Sequence, residues 1–310
     1  GARANFFPGM APDGDKIITY KEAMVQNEQP DSLIIIGAGA IGVEFAHFYN
    51  TFGTEVTLIE ALPNILPSED IDISKELEKI FVKRKMNILT NTMVDKIEKN
   101  KKMVQVHLKN GDIIEAEKAL IAVGVKGNIE DIGLEDCQIS TRNGWIEVNN
   151  FMETSQPHVY AIGDVVGAPW LAHVASAEGI IAAEHLSGND PEPMEYSNIP
   201  GCTYCHPEVA SVGFSEQQAL DAGYKIKVGN FPFRGLGKAV ASGDTEGFVK
   251  IIYDKKYGEM LGCHIIGAEA TNIITEAVIA RKLETTYHEV LSSIHPHPTL
   301  SEAILEASAN

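Results

Sequence analysis

The sequence predicts a Rossmann-like α/β domain followed by an α+β domain, and three observations carry that reading. A glycine-rich turn, Gly37-Ala38-Gly39-Ala40-Ile41-Gly42, lies directly between an apolar run and a helical pattern. A second short apolar run, Glu55-Val56-Thr57-Leu58-Ile59-Glu60, follows the helix, as a parallel βαβ unit requires. Beyond Pro191-Glu192-Pro193 the character changes to strand patterns closed by helices.

Taken in order, Ser32-Leu33-Ile34-Ile35-Ile36 reads as the first strand, and Ile41, Phe45, Phe48, Tyr49 and Phe52 recur at helical spacing until Gly53 stops the helix. A polar stretch, Leu62 to Asp70, precedes a charged helix over Ile71 to Lys85, and turn signals near Asn100 and Gly111 separate further strands. Ala119-Leu120-Ile121-Ala122-Val123-Gly124 reads as another central strand, whose glycine lets backbone approach a ligand at the carboxyl end of the sheet. Val159-Tyr160-Ala161-Ile162-Gly163-Asp164 reads as a buried strand that ends in an acidic turn. After the boundary, Gly247 to Tyr253 and Glu259 to Ile266 read as short alternating strands, and Asn272 to Lys282 and Thr299 to Ala307 as helices.

The 310 residues, 44% of them hydrophobic, exceed what a single core usually covers, so at least two domains are expected. No apolar run is long enough to span a membrane, and the first residues lack the layout of a signal peptide. The net charge of −18 opposes nucleic acid and anionic membrane surfaces as partners. Four cysteines, Cys137, Cys202, Cys205 and Cys263, are too few for a disulfide framework and suit a reducing compartment, cytoplasm or organelle matrix.

The glycine turn fits G-x-G-x-x-G in its required setting, where free N–H groups and the helix dipole can hold a pyrophosphate. Glu60, at the end of the next strand, is placed to accept from a ribose 2′-OH, and its charge repels a 2′-phosphate, so NAD is favoured over NADP. Cys202-Thr203-Tyr204-Cys205 has C-x-x-C spacing, but no second pair completes a metal set and no helix follows to activate a thiol. Two small buried residues in a strand, and no metal, are expected there. In the tail, Pro296 and Pro298 stiffen the chain on either side of His297, as a general base needs. Glu302 reads equally as a capping-box carboxylate and as the partner that orients His297. His173 reads as a ligand, an acid or a helix-start histidine.

The fingerprint, Ala161-Ile162-Gly163-Asp164 with Leu171-Ala172-His173, Pro200-Gly201-Cys202-Thr203-Tyr204 with Pro207 to Gly213, and the His295-Pro296-His297-Pro298 tail together resemble the dihydrolipoamide dehydrogenases, within the flavoprotein disulfide reductases. The resemblance covers nearly the whole chain in the family's order. It implies the end of an FAD-domain segment over 1–12, an NAD domain over 13–127, a central segment returning to FAD over 128–190 and a dimerisation domain over 191–310. It implies FAD contacts at Gly1, Ala2, Asp164, Trp170, Leu171, Ala172 and His173, and NAD contacts at Glu44, Val94 and Gly124 besides Gly37, Gly39, Ala40, Ile41, Gly42 and Glu60. His297 resembles the base that takes the substrate thiol proton, and Glu302 the carboxylate that orients it, both serving the disulfide of the opposite subunit of a homodimer. The tail histidines and Glu60 set the chain apart from glutathione reductases, which usually carry arginines for NADPH, and from mercuric reductases, which lack the same tail.

The resemblance implies oxidation of dihydrolipoamide with NAD+ through a disulfide and FAD, on the acyltransferase core of a 2-oxoacid dehydrogenase complex. The chain carries one G-x-G-x-x-G where the family has two, and no C-x-x-x-x-C pair, so by itself it is expected not to turn over lipoamide. Two other functions are compatible with the residues: a flavin-free NAD dehydrogenase acting through His297 and Glu302, and a non-catalytic fragment that binds NAD, dimerises and docks.

Overall fold

The computed structural model describes residues 1–310 and divides into two units, residues 1–5 with 124–196 and residues 6–123 with 197–310. The chain thus passes between the units after residues 5, 123 and 196, where the sequence suggests divisions at 12, 127 and 190. The expected NAD and C-terminal domains also pack together as one unit.

In the larger unit, a five-stranded parallel sheet has the order Ile17–Ile18, Lys118–Ile121, Ser32–Ile36, Glu55–Ile59, Asn87–Leu89. Strands buried on both faces need continuous apolar runs, and Leu33 to Ile36 and Leu58 to Ile59 supply them. The helix Ala40–Thr51 packs against this sheet through Gly42, Val43, Ala46 and Tyr49. That stripe differs from the expected one: Tyr49 is buried and Phe45 packs against the core, but Phe48 and Phe52 stay 51% and 63% exposed, while the small residues Gly42 and Ala46 join the buried face. The charged helix spans Ile71–Lys83, capped at its start by the Asp70 side chain. An antiparallel meander, Val94–Lys99, Val104–Leu108 and Ile113–Ala116, covers the other side and shares a core with Ile34, Ile36 and Ile59.

The C-terminal part is a five-stranded antiparallel sheet, ordered Gly201–Thr203, Glu208–Gly213, Met260–Gly267, Phe248–Asp254, Ile226–Pro232. The helices Ala270–Lys282 and Glu302–Ala309 lie over one face, joined by a short helix, Tyr287–Ser292, that sequence reading passed over. The expected alternation is absent from the two central strands, which are buried along almost their whole length. The reason is that the NAD-domain side covers the second face: Val209, Ile266 and Phe248 join the core of the parallel sheet. On that same face Lys250, only 1% exposed, donates to Asp70 at 2.9 Å and Asp72 at 2.7 Å and pairs with Glu216 at 2.7 Å. Burial opposes the Lys250 charge, yet hydrogen bonds to Asp72, Glu216 and Asp70 hold its pKa above the usual value.

The smaller unit pairs Ala2–Ala4 with Val125–Gly127 and carries a hairpin, Thr141–Arg142 with Trp145–Ile146, and the helix Ala172–Leu186. The strand expected over 159–164 is not formed. Tyr160 makes an isolated bridge to Glu153, Val159 and Ile162 are exposed, and Gly163–Val166 is a 3-10 turn. Apolar residues there gave the pattern of a strand, but its pairing with residues 152–154 stops at one bridge, with the Thr154 N–H donating to the Val159 oxygen and the Ala161 N–H to the Met152 oxygen.

Candidate active site

The three fingerprint glycines are required for three different reasons. Gly37 has φ +100°, and a Cβ there would lie 2.3 Å from the Ala122 oxygen, so only glycine makes the crossing between neighbouring strands. A Cβ on Gly42 would lie 1.9 Å from the Gly37 oxygen, which fixes the helix close to the turn. A Cβ on Gly39 would meet nothing within 4 Å: the space before it is open, and Gly39 is the N-cap of a helix with no side-chain cap. Its first N–H groups, those of Ala40 and Ile41 among them, are therefore left for an anion. This geometry fits a dinucleotide pyrophosphate.

Glu60 is buried at the carboxyl end of the second strand, as its spacing requires, with an added task. One carboxylate oxygen accepts the Ala38 N–H at 2.7 Å, the other the Leu62 N–H at 2.9 Å, so the side chain braces the glycine turn. Glu44, half-buried on the fingerprint helix, accepts the Tyr204 N–H at 2.8 Å. Burial pushes its carboxyl above the usual range, partly offset by that hydrogen bond. Val94 opens the meander and is buried in its core. Gly124 has φ +93° and opens the return of the chain into the smaller unit, where its carbonyl accepts the Asn5 N–H.

In the smaller unit, Gly1 is exposed and Ala2 pairs with Gly127. Asp164 lies in the 3-10 turn after Gly163, whose N–H is held by Glu178 at 2.7 Å. Leu171 is the N-cap of the helix Ala172–Leu186, which places Ala172 and the exposed His173 in its first turn. Trp170 packs on Trp145 with ring centroids 5.3 Å apart. Sequence reading missed Glu178, which is buried, holds Gly163 and accepts the Tyr196 hydroxyl at 2.7 Å. The signal was present as a carboxylate on an otherwise apolar helix face.

The tail joins His297 and Glu302: Nδ1 lies 2.8 Å from Oε1, while Oε2 accepts the Thr299 N–H at 2.8 Å. The contact with His297 is the one the orienting reading expects, whereas the capping box is not formed: the helix begins at Glu302 with Ser301 as its N-cap, and the Thr299 hydroxyl donates to the Pro296 carbonyl oxygen instead. The Thr299 N–H and His297 hold the Glu302 carboxyl below its usual range. An ionised carboxylate only accepts, so Nδ1 donates, which in the neutral ring leaves the lone pair of a base on Nε2, on a side chain 75% exposed. His295 makes a second such pair, with Glu276.

The C-x-x-C cysteines form no disulfide and no metal cluster. Cys202 is half-buried in its strand, and Cys205 is buried just past the strand's end, where burial pushes its thiol up to about 12.

Known proteins resemble the chain over nearly its whole length. Residues 1–179 match the pyridine nucleotide-disulphide oxidoreductase family, and residues 199–308 match its dimerisation domain. Over 99% of the chain, dihydrolipoyl dehydrogenase from Bacillus subtilis is 45% identical and that from Zymomonas mobilis 46% identical. The chain spans about two thirds of the length of these relatives, 66% and 67%. Among solved structures, LpdA from Mycobacterium tuberculosis superposes with a TM-score of 0.93 at 28% identity, covering 100% of this chain and 68% of that one. The HOCl-induced flavoprotein disulfide reductase RclA from Escherichia coli superposes with a TM-score of 0.92 at 27% identity, covering 100% and 72%. A glycine cradle built for a dinucleotide, an oriented histidine, and family matches that take in both the cradle and the tail lead to one assignment: the chain belongs to the pyridine nucleotide-disulphide oxidoreductase family.

Proposed function

We propose that the protein is a dihydrolipoamide dehydrogenase, which oxidises a protein-bound dihydrolipoyl dithiol with NAD+ through a redox disulfide and FAD. The observation that carries this reading is the His297–Glu302 pair, an oriented imidazole with Nε2 free, in a chain 45% and 46% identical to proteins named dihydrolipoyl dehydrogenase. These relatives favour it over a flavin-free dehydrogenase or a non-catalytic fragment.

His297 Nε2 takes the proton of the attacking dithiol, because the thiolate and not the thiol attacks a disulfide. Glu302 keeps Nδ1 donating and stabilises the imidazolium that forms. No C-x-x-x-x-C spacing occurs among Cys137, Cys202, Cys205 and Cys263, so the disulfide belongs to sequence outside these residues. FAD, when bound, supplies the two-electron relay between that disulfide and the nicotinamide. Gly1, Ala2, Asp164, Trp170, Leu171, Ala172 and His173 are the residues assigned to hold it. Gly37, Gly39, Ala40, Ile41, Gly42, Glu44, Glu60, Val94 and Gly124 are assigned to NAD, and the Glu60 charge disfavours NADP. Ile279, Leu283 and Ile294 are exposed on the C-terminal domain and support a homodimer in which the tail serves the partner's disulfide. The dimer's further partner is the acyltransferase core of a 2-oxoacid dehydrogenase complex, and its site of action is the cytoplasm.

The test is the visible spectrum of the full-length protein, followed by its rate of NAD+ reduction with dihydrolipoamide. A flavin band and turnover that is faster with NAD+ than with NADP+ are expected. Absence of a flavin, or turnover of alcohols in place of dithiols, defeats the proposal.

A further inference from the structure

Through His295, the segment that carries His297 is tied to a neighbouring helix other than the one that follows it. Between the helices Tyr287–Ser292 and Glu302–Ala309 the chain is irregular, and from Leu291 to Pro298 every residue but His295 is exposed, Ile294 at 99%. The His295 side chain is 8% exposed. Its Nε2 lies 2.8 Å from Glu276 Oε1, on the helix Ala270–Lys282, and its Nδ1 lies 3.1 Å from the Ser293 carbonyl oxygen. No backbone–backbone hydrogen bond fastens residues 294–298.

Both acceptors lack a proton to give: a carbonyl oxygen only accepts, and so does an ionised carboxylate. The ring is therefore the donor side of these contacts, held between its own strap and the neighbouring helix. The geometry points to the His295–Glu276 pair as the anchor that pins the strap and positions the His297 base. The inference rests on the proposed dithiol chemistry and adds a second histidine–carboxylate pair beneath the first. The two pairs divide the work: Glu302 sets the rotation of the His297 ring, and His295–Glu276 sets where the backbone holds it. Near-attack geometry is sensitive to displacements of an ångström, so loosening this anchor acts on turnover even though neither residue touches substrate. They are positioning residues.

The experiment uses His295→Gln, Glu276→Gln, Glu276→Asp and the double variant His295→Gln/Glu276→Gln in the full-length protein. The kcat with dihydrolipoamide is expected to fall about ten- to a hundredfold in each neutral single variant. The double variant is expected to fall no further, Glu276→Asp to recover part of the loss, and KM for NAD+ and the NADH–ferricyanide rate, which needs no thiol base, to stay unchanged. An unchanged kcat in both single variants overturns the inference. So does a parallel fall of the ferricyanide rate, which reports general damage. If the parent reduces ferricyanide but does not oxidise the dithiol, the functional reading fails by itself. The inference is then decided by histidine ¹⁵N NMR of the parent and Glu276→Gln at neutral pH: a His297 resonance displaced by the substitution upholds it, and an unmoved one overturns it.

Discussion

Glu60 accepts the Ala38 N–H at 2.7 Å, so the carboxylate that spacing assigns to a ribose hydroxyl also holds the glycine turn in shape. Its oxygens retain lone pairs for a ligand, since each accepts a single N–H from the chain. Glu60→Ala is therefore expected to act twice, weakening NAD and leaving buried N–H groups without acceptors. Unfolding free energy should drop by about 1–3 kcal/mol. Calorimetric NAD titration and urea unfolding of the same samples check both, and equal NAD affinity removes Glu60 from the site.

Gly39 and Gly42 should separate binding from folding. Gly42→Ala places a Cβ 1.9 Å from the Gly37 oxygen and cannot be accommodated without moving the helix, so both stability and NAD binding fall. Gly39→Ala meets no protein atom within 4 Å, so its melting temperature should stay near the parent's while NAD affinity drops. Thermal melts with and without NAD read the difference.

His297→Gln in the full-length protein should lower turnover with dihydrolipoamide by about 10²–10⁴-fold, the usual contribution of a general base. NAD affinity should be intact, because the lost group moves a proton and binds no cofactor. Steady-state rates beside an NAD titration test this, and unchanged turnover rejects His297 as the base.

Lys250→Met leaves Asp70, Asp72 and Glu216 facing one another without their cation. Asp72 and Glu216 are partly exposed, so the cost falls mainly on the buried Lys250–Asp70 pair, whose breaking is expected to cost about 3–5 kcal/mol at pH 7. The pH dependence follows from two shifts. Burial tends to raise Asp70, but Lys250 and the Glu216 and Asp72 N–H groups lower it overall. Its contribution is complete above the ordinary carboxylate value and is lost as pH falls through the lower folded one. Lys250 is raised, so its contribution is complete below the ordinary lysine value and is lost as pH rises through the higher folded one. Urea unfolding at pH 7 and below pH 4 should show the gap between parent and variant shrinking in acid.

Cys205 and Cys137 should differ in alkylation. Burial pushes the Cys205 thiol up to about 12, whereas Cys137 is exposed. In the folded protein at pH 8, iodoacetamide should label Cys137 and spare Cys205, as peptide mass spectrometry can read.

The cofactor cradle was legible because its determinants are local: strand, glycine turn and helix are contiguous from Ser32 to Thr51, and Glu60 follows a short strand later. The His297–Glu302 pair was legible for the same reason, being five residues apart. His295–Glu276 was not, because its members come from a strap and a separate helix, 19 residues apart. Burial of both faces of the strands Phe248–Asp254 and Met260–Gly267 was hidden too, since the cover comes from the other end of the chain. The 159–164 segment shows the converse, where apolar composition suggested a strand that the hydrogen-bond ladder does not supply.

Asp70 leaves a ribosome 180 residues before the lysine that neutralises it. At synthesis rates of about 5–20 residues per second, roughly ten seconds or more separate the two. During that interval the acidic edge has no counter-ion, and the core that Ile65, Leu66 and Phe81 share with Ile266 stays incomplete until that later residue follows. Maturation of the nucleotide-binding half is thus tied to translation of the C-terminal third, and a nascent chain halted short of residue 250 presents a sticky, negatively charged intermediate to the cell's chaperones.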